Sequence, residues 1–311
     1  MPSVQPIAGI GANLSHVGTD LDAVAAQLDE LVALGADCAE LYASALGVVV
    51  AARPIADRVA RLRRIVAERP LACSIHAPIP INPMDREHTA LHRRALEASV
   101  ALAAGIGADV VVIHAGRTTP ALWAAGAADL LAFERDELRR YAAAARAAGV
   151  TVAVENISPN PAVIAGRETS YSLDPSALAR QLALVREDGL TGCLDVSHAN
   201  QGAGLQGHAL LDGCAAMGPV TRHLHVSDTT GEPAPSWLPT PSDMSFFGVG
   251  DMHAPLGTAG IDYDAVAAAL RPQPGTRAIL ELAPVSRPLL ADSLARLRGF
   301  ADRVNALAEA A

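Results

Sequence analysis

The sequence predicts an α/β protein with the (β/α)8, or TIM barrel, fold. Eight short apolar runs alternate with amphipathic helical segments along the 311 residues, an order typical of a parallel sheet covered by helices. The apolar runs are continuous instead of alternating with polar residues, which indicates strands buried on both faces. The presence of eight such units favours a closed barrel over a doubly wound open sheet, which stays as the alternative.

The elements follow one another from end to end of the chain. The predicted strands are 6–12, 37–42, 71–76, 108–114, 151–156, 191–196, 222–227 and 277–282. The predicted helices are 20–34, 53–69, 86–105, 127–148, 174–188, about 205–217, 262–271 and 287–309. Glycines just before the second, fourth and fifth strands are expected to end the preceding helices. We expect one barrel domain over residues 1–311, with long active-site loops at 157–171 and 229–258.

Composition excludes several classes of function. All 24 basic residues are arginine, so no lysine is available as a Schiff-base nucleophile, general base or P-loop cation. The net charge of −9 argues against nucleic acid as the main partner and favours a small-molecule substrate. The scattered cysteines, with no signal-peptide pattern and no apolar run long enough for a membrane, predict a cytoplasmic protein without a membrane partner. The sequence is compatible with a homo-oligomer.

Polar or ionisable residues interrupt each apolar run near its carboxyl end, where a barrel carries its chemistry. They are Asn13, Glu40, His76, His114, Glu155, Asp195, His225 and Glu281. Each of them alone has a structural explanation, such as a hydrogen-bonded histidine or a salt-bridged glutamate. Eight such residues on one rim indicate a common site. Because the chain has no lysine to neutralise the carboxylates, histidines next to carboxylates indicate a bound divalent cation.

Three loop residues join this set: His198 lies three residues after Asp195, and Asp251 and His253 lie in the glycine-rich turn that leads back to the seventh helix. The resulting candidate metal ligands are His76, His114, Glu155, Asp195, His198, His225, Asp251, His253 and Glu281. Nine ligands are more than one ion can use, so we expect one to three divalent ions per chain. Zinc is the first choice for this donor set, with manganese, magnesium, cobalt and iron as alternatives.

The stretch "TRHLHVSDTTG" places two histidines one residue apart in the seventh strand, so their side chains face the same way. We expect His225, nearer the strand end, to be a metal ligand and His223 to lie one layer deeper in the barrel interior. Asp228 is expected to shape the loop that follows. The histidines away from the strand ends are expected to be surface or capping residues; they are His16, His88, His92 and His208.

Five further residues are expected to contact the substrate: Asn13, Glu40, Arg117, Asn156 and Trp237. Arg117 follows His114 closely and can meet a phosphate or carboxylate, although surface exposure is the alternative. Glu40 and Asn156 are expected in the pocket as substrate contacts or behind the metal ligands. Trp237 lies in the second long loop, where it either closes over the ligand or only packs the loop.

Eight short motifs, at or after seven of the eight predicted strands, cover nearly the whole chain. They are "GIGANLS", "SIHAP", "VVIHAG", "VENIS", "CLDVSHAN", "LHVSD", "DMHAPLGTAGID" and "LELAP". As a set they resemble the xylose isomerase-like TIM barrels, also called AP endonuclease family 2, which include endonuclease IV and sugar phosphate isomerases and epimerases. The resemblance implies three zinc ions. His76, His114 and Glu155 would hold one, and Glu155 would bridge to a second.

By the same resemblance, the second ion would also be held by Asp195, His225 and Glu281. The third ion would be held by His198, Asp251 and His253. Two departures bear on the substrate. The family usually has "GAHxS" on the first strand, whereas this chain has Asn13 in place of the histidine. The loops at 42–53 and 78–88 are largely apolar, whereas the DNA enzymes of the family carry basic and aromatic loops that penetrate the duplex.

Two activities are consistent with this resemblance. The first is a metal-dependent isomerase or epimerase of a small sugar or sugar phosphate. A metal on Glu155, Asp195, His225 and Glu281 would polarise the substrate carbonyl, and Glu155 and Glu281 would act as the catalytic acid/base pair. The alternative is multinuclear metal hydrolysis of a phosphate ester, with a small metabolite favoured over DNA. A non-catalytic binding barrel is a minor third alternative.

Overall fold

A closed barrel of eight parallel strands forms the centre of the computed structural model, which describes residues 5–15, 19–238 and 240–310. The strands are β1 (Ile7–Asn13), β2 (Cys38–Tyr42), β3 (Ala72–His76), β4 (Val110–His114), β5 (Thr151–Glu155), β6 (Leu190–Asp195), β7 (Thr221–Val226) and β8 (Thr276–Leu280). Each strand pairs with its sequence neighbours, and β1 pairs with β8 to close the barrel. The predicted fold and all eight predicted strands are therefore confirmed.

Helices follow the strands and cover the barrel. They are α1 (Leu21–Ala33), α2 (Ala56–Ala67), α3 (Thr89–Ile106), α4 (Pro120–Ala147), α5 (Pro161–Ile164), α6 (Pro175–Val185), α7 (Val196–Gln206), α8 (Leu210–Met217), α9 (Pro241–Phe247), α10 (Tyr263–Ala269) and α11 (Leu290–Glu309). A small antiparallel ribbon pairs Val49–Val50 with Arg53–Pro54. Gly107 ends α3 in the left-handed conformation at φ 84°, as its place before the fourth strand predicts.

Two helical predictions were wrong. The segment from about 205 to 217 was expected as one helix, whereas α7 begins directly after β6 and α8 follows as a separate helix. The helix expected at 127 begins earlier, at Pro120, and is kinked at Gly126, whose φ of −174° and ψ of 57° are not helical. Thr119 caps its first turn by accepting a hydrogen bond from the Leu122 backbone N–H.

The main apolar core lies between the barrel strands and the surrounding helices. Its Leu, Val, Ile and Ala side chains come from both layers, and a small group of Val112, Ala153 and Cys193 fills part of the barrel interior. All four cysteines are buried and unpaired, and burial raises the pKa of the Cys73 thiol to about 12. None of the helices in the described ranges has the length and apolar character needed to span a bilayer.

The segment between β7 and α10, which we call the lid, folds on a small core of its own. Ala234, Leu238, Met244, Met252 and Ala254 pack together inside it. Backbone hydrogen bonds in both directions join Asp228, at the start of the lid just after β7, to Ala254 near its returning end. This fixed segment carries two of the candidate metal ligands.

Candidate functional site

Strand register brings the predicted ligands together at the carboxyl end of the barrel. His114 at the end of β4 lies beside Glu155 at the end of β5, and Asp195 at the end of β6 lies beside His225 on β7. Because parallel neighbours end at the same edge, residues far apart in sequence share one rim. Glu281 follows β8 directly and completes the rim next to β7.

The central group consists of Glu155, Asp195, His225 and Glu281, each of which offers one ligand atom within 4.8 Å of the others. His225 Nδ1 lies 3.0 Å from a Glu155 oxygen and 3.3 Å from a Glu281 oxygen. The side chains of Glu155, Asp195 and His225 are fully buried, and that of Glu281 is nearly so. Three carboxylates and an imidazole at this separation form a donor set suited to one divalent cation.

The second oxygen of Glu155 faces two more histidines. His76 Nε2 lies 3.3 Å and His114 Nε2 lies 3.4 Å from Glu155 Oε2. The resemblance implied an ion held by these three residues, and both imidazoles do approach that single oxygen. The tighter group, with all ligand atoms within 4.8 Å, contains His76, Glu155 and His225 instead. His114 therefore lies beside this group of three residues but is not a member of it.

A third group is formed by His198, Asp251 and His253, again with ligand atoms within 4.8 Å of one another. Asp251 lies between the two imidazoles, with its oxygens 3.4 Å from His198 Nε2 and 3.3 Å from His253 Nε2. His198 stands in the first turn of α7, which Asp195 caps by accepting a hydrogen bond from the His198 backbone N–H at 2.7 Å. The lid supplies the other two residues.

Backbone carbonyls orient three of these histidines. The Nδ1 atoms of His76, His198 and His253 lie 2.8, 2.9 and 3.3 Å from the carbonyl oxygens of Ala77, Asn156 and Glu281. An Nδ1–H donated to a carbonyl leaves the Nε2 lone pair free, and in all three residues Nε2 faces the carboxylates. These rings are preset to bind a cation through Nε2.

Burial and neighbouring charges shift the pKa values of the site. Burial raises the pKa of Asp195 to about 7 and lowers that of His114 to about 3. Burial opposes the charge on Glu155, but the neighbouring His225 holds the pKa of this carboxyl well below its usual range. Burial also opposes the charge on His253, yet Asp251 outweighs it and raises the pKa of His253 to about 10. The buried carboxylates therefore depend on positive charge supplied next to them.

Several buried polar atoms of the site have no hydrogen-bond partner among the described residues. They are Glu155 Oε2, Asp195 Oδ2, His198 Nε2, Glu281 Oε2, His225 Nε2 and, beneath these, Glu40 Oε1. Buried polar atoms without partners are costly in a protein interior. The first four of these atoms face the centre of a group that can hold a cation, so the residues present fit divalent metal.

The cavity that opens on this site has a volume of about 190 Å³. Its wall includes Asn13, Tyr42, Ile79, His253 and Glu281. Tyr42 was not anticipated, although it follows Glu40 by two positions on β2 and so faces the same way. Its ring stacks on His76 at a centroid separation of 4.9 Å and an angle of 18°. The cavity admits a small molecule to the Glu281 side of the central group.

The predicted substrate contacts fall in different places. Asn13 lines the cavity, and its amide exchanges hydrogen bonds with the backbone of Leu282. Asn156 was predicted as a pocket residue, but its amide is taken up by the Asp195 backbone, donating to the carbonyl and accepting from the N–H, both at 2.9 Å. Asn156 therefore positions Asp195. Glu40 lies deeper, beneath His225.

Arg117 and Trp237 lie away from the cavity, so the structure does not bring these two predicted substrate contacts to the site. The Arg117 guanidinium donates to the Ile79 carbonyl and lines a separate groove of about 480 Å³. Trp237 is 69 % exposed and packs edge-on against Phe247, whereas alanine, leucine and methionine side chains form the core of the lid. It belongs to the outer surface.

The other histidines and Asp228 lie largely where the sequence predicted them. His223 is fully buried in the barrel interior, and the buried Asp228 binds loop backbone, as expected. His88 is exposed, whereas His92 and His208 are half-buried at the periphery and bond to Asp85 and to the Leu173 carbonyl. His16 lies outside the described residues.

Comparison with known proteins agrees with this architecture. The family model described as xylose isomerase-like TIM barrel matches residues 28–300. No curated protein sequence is significantly similar to the chain. Among solved structures, a D-tagatose 3-epimerase-like protein has a TM-score of 0.69 at 16% identity, with 96% of this chain and 98% of that chain covered.

Two further structures extend the range of similar proteins. An L-ribulose 3-epimerase has a TM-score of 0.68 at 15% identity, covering 97% of both chains. Endonuclease IV from Thermus thermophilus has a TM-score of 0.58 at 21% identity, covering 94% of this chain and 99% of its own. At these identities the likeness establishes the fold that sugar epimerases and a nuclease share.

Proposed function

Because the chain belongs to the xylose isomerase-like TIM barrel family, we propose that it is a divalent-metal-dependent isomerase or epimerase of a small sugar or sugar phosphate. The observation that carries the proposal is the central group of Glu155, Asp195, His225 and Glu281, which adjoins a cavity of about 190 Å³. A cavity of this size suits one small polar molecule.

The cation supplies one kind of chemistry when bound: it polarises a substrate carbonyl and the neighbouring hydroxyl, which makes the adjacent C–H more acidic. The residues of the chain divide the remaining tasks. Glu281 lines the cavity and is the carboxylate placed to take a proton from the substrate. Glu155 is fully buried, so it holds the group together and exchanges a proton only with a substrate atom that enters between the carboxylates.

The surroundings of Glu281 suit this task. Its side chain borders the cavity while Oε2 faces His225 and His253 at 3.3 and 3.6 Å. Tyr42, stacked on His76, and Asn13, fixed on the Leu282 backbone, form fixed walls on either side. A substrate held there would have one C–H facing a carboxylate and its oxygens facing the metal group, which is the arrangement that proton transfer beside a carbonyl requires.

We expect the metal-loaded protein to catalyse deuterium exchange at the carbon beside the carbonyl of a ketose. The protein is incubated in D2O with a panel of ketopentoses, ketohexoses and their phosphates, and proton NMR follows the loss of the C–H signal. Exchange that requires added metal supports the proposal. Absence of exchange with the whole panel, by protein shown to contain metal, would reject it.

A second function, metal-assisted hydrolysis of a phosphate ester, is favoured by one specific observation. The group of His198, Asp251 and His253 lies beside the central group, with His198 Nδ1 only 3.3 Å from Glu155 Oε1. Neighbouring cations can stabilise both the attacking and the leaving oxygen of a phosphoryl transfer. The net charge of −9 makes a small phosphate ester a better candidate than DNA.

Metal stoichiometry separates the two functions. For the isomerase we expect about one tightly bound ion per chain, unaffected by Asp251→Ala, because one cation suffices to polarise a carbonyl. Purified protein is dialysed against metal-free buffer after loading with Zn²⁺ or Mn²⁺ and analysed by mass spectrometry. Glu232→Ala, at an exposed acidic residue of the same lid, is the matched control.

The other outcomes of this measurement have defined meanings. About three ions per chain in the wild type, with loss on Asp251→Ala but not on Glu232→Ala, would move the assignment to hydrolysis. Hydrolysis of a chromogenic phosphodiester by the same sample would then be expected. A wild-type chain that binds no divalent ion would reject both metal-dependent functions.

A further inference from the structure

A buried polar cluster lies inside the barrel beneath the central group. It consists of Glu40 on β2, Ser74 on β3 and His223 on β7, and we call it the floor cluster. Glu40 and Ser74 are direct partners in the register of β2 and β3. Glu40 Oε2 accepts a hydrogen bond from Ser74 Oγ at 2.8 Å and lies 2.9 Å from His223 Nε2. Two neighbours therefore fix one oxygen of this carboxylate.

The other oxygen of Glu40 faces His225. Glu40 Oε1 lies 2.8 Å from His225 Nε2, within ion-pair range although the two atoms do not meet hydrogen-bond geometry, whereas His225 Nδ1 faces Glu155 and Glu281 on the opposite side of the ring. The imidazole thus stands between a carboxylate beneath it and the group that can hold a cation above it. Nε2 of His225 therefore faces Glu40, and Nδ1 faces the central group.

We propose that Glu40 is a positioning residue for the metal, which accepts the Nε2–H of His225 and thereby directs the Nδ1 lone pair at the cation. The proposal rests on the metal dependence proposed above. In neutral imidazole only one nitrogen carries hydrogen, so the partner of Nε2 decides which nitrogen can bind metal. A carboxylate partner also increases the basicity of the ligating nitrogen.

His225 differs in this respect from the other oriented histidines of the site. His76, His198 and His253 place Nδ1 against neutral backbone carbonyls and direct Nε2 at the carboxylates. His225 uses the opposite nitrogen, and its partner is a carboxylate. Among the described residues, the groups next to the two nitrogens of His225 are carboxylates and not backbone carbonyls: Glu155 lies 3.0 Å from Nδ1 and Glu40 lies 2.8 Å from Nε2.

Ser74 and His223 have a defined part in this arrangement. A carboxylate in the barrel interior is costly unless donors compensate for the lost water. Both residues donate to the oxygen of Glu40 that His225 does not use. They therefore help to hold the carboxylate in the orientation that reaches His225.

Glu40→Gln tests the role, because the amide keeps the size of the side chain but removes its charge. We expect the affinity of the central group for Zn²⁺ to fall about 10- to 100-fold, the range typical of lost partners of metal-binding histidines. Affinity is measured by competition with a chromogenic chelator. Nitrogen-15 NMR of zinc-loaded wild type is expected to show His225 with protonated Nε2 and metal-bound Nδ1.

Ser74→Ala is the matched control within the floor cluster, because it removes one neutral donor and leaves the contact between Glu40 and His225. Its effect on zinc affinity is expected to be clearly smaller than that of Glu40→Gln, because His223 still donates to the same oxygen of Glu40. The nitrogen-15 NMR spectra are recorded on the wild-type protein, so this test does not depend on whether a variant folds. A wild-type spectrum with His225 bound through Nε2 would overturn the proposal directly.

Failure of this inference differs from failure of the proposed function. Zinc binding by Glu40→Gln as tight as in wild type would overturn the role of Glu40 alone. A wild-type chain without any bound zinc would overturn the proposed function and this inference with it. If Ser74→Ala lowered the affinity for zinc as much as Glu40→Gln does, the effect would be assigned to packing of the barrel interior. The specific role of Glu40 would then be rejected as well.

Discussion

Glu281→Gln is expected to lower the rate of deuterium exchange into a ketose by about 10²- to 10⁴-fold, the usual contribution of a general acid or base. Glutamine keeps an amide oxygen that can face the cation but cannot accept a proton. Glu281 is the member of the central group that lines the cavity, so the loss falls on the chemical step. The measurement is the exchange rate at saturating substrate, with metal content determined on the same sample.

Two comparisons make the result specific. Glu97→Gln, the same change at an exposed residue of α3, is expected to leave the exchange rate unaltered. Glu155→Gln is expected to reduce metal content as well as rate, because Glu155 contacts His76, His114 and His225. If Glu281→Gln retained metal and at least a third of the wild-type rate, Glu281 would not be the proton acceptor.

The barrel and the membership of its rim could be predicted from the sequence because both depend on local patterns. Each strand is a continuous apolar run, and a polar residue near its end marks the layer that reaches the surface of the barrel. Parallel register then places such residues side by side, as it does for Asp195 and His225. No long-range information is needed once the strand ends are known.

The depth of a residue in the barrel was harder to predict. Glu40 was expected either as a substrate contact or behind the metal ligands, and the structure has Tyr42, two residues further along β2, paired with His76 at the rim. Glu40 therefore lies one layer lower, just as His223 lies one layer below His225. The predicted end of this strand was right, but residues two positions apart face the same way in different layers, so the pattern alone could not separate a substrate contact from a residue beneath the metal group.

The position of α7 could not be predicted either, because its sequence is a weak helical signal. "VSHANQGAGLQ" has little helical periodicity and contains two glycines, which disfavour a helix interior. The helix begins nevertheless at Val196, where the Asp195 carboxylate caps it and the barrel packs against its first turns. Tertiary contacts here outweigh local propensity, and they place His198 in the third group.

The second large effect is expected at Asp228, the buried carboxylate that follows β7. Its two oxygens accept five backbone N–H groups at 2.9 to 3.1 Å, from Thr229, Gly257, Thr258, Ala259 and Ile261. Hydrogen bonds to charged acceptors contribute about 1.5–3 kcal/mol each, and donors left buried without a partner carry a further cost. This one side chain therefore holds the returning end of the lid onto the barrel.

Asp228→Ala is expected to lower the free energy of unfolding by about 3–5 kcal/mol, less than the sum of five bonds because water enters the emptied space. Urea unfolding at neutral pH, followed by circular dichroism, gives the value. Asp251 and His253 lie between the anchored ends of the lid, so loss of the anchor is also expected to weaken metal binding by the third group. That second effect is measured by zinc competition well below the unfolding midpoint.

Asp264→Ala provides the matched control, because Asp264 is an exposed aspartate of α10 whose ion pair with Arg303 lies at the surface. Its unfolding free energy is expected within about 0.5 kcal/mol of wild type, as for other surface pairs. Asp228→Asn separates charge from shape: the amide would turn an N–H2 toward backbone donors, so it is expected to destabilise nearly as much as alanine. Wild-type stability of Asp228→Asn would show that water or another acceptor satisfies these N–H groups and that the lid is held by its apolar core instead.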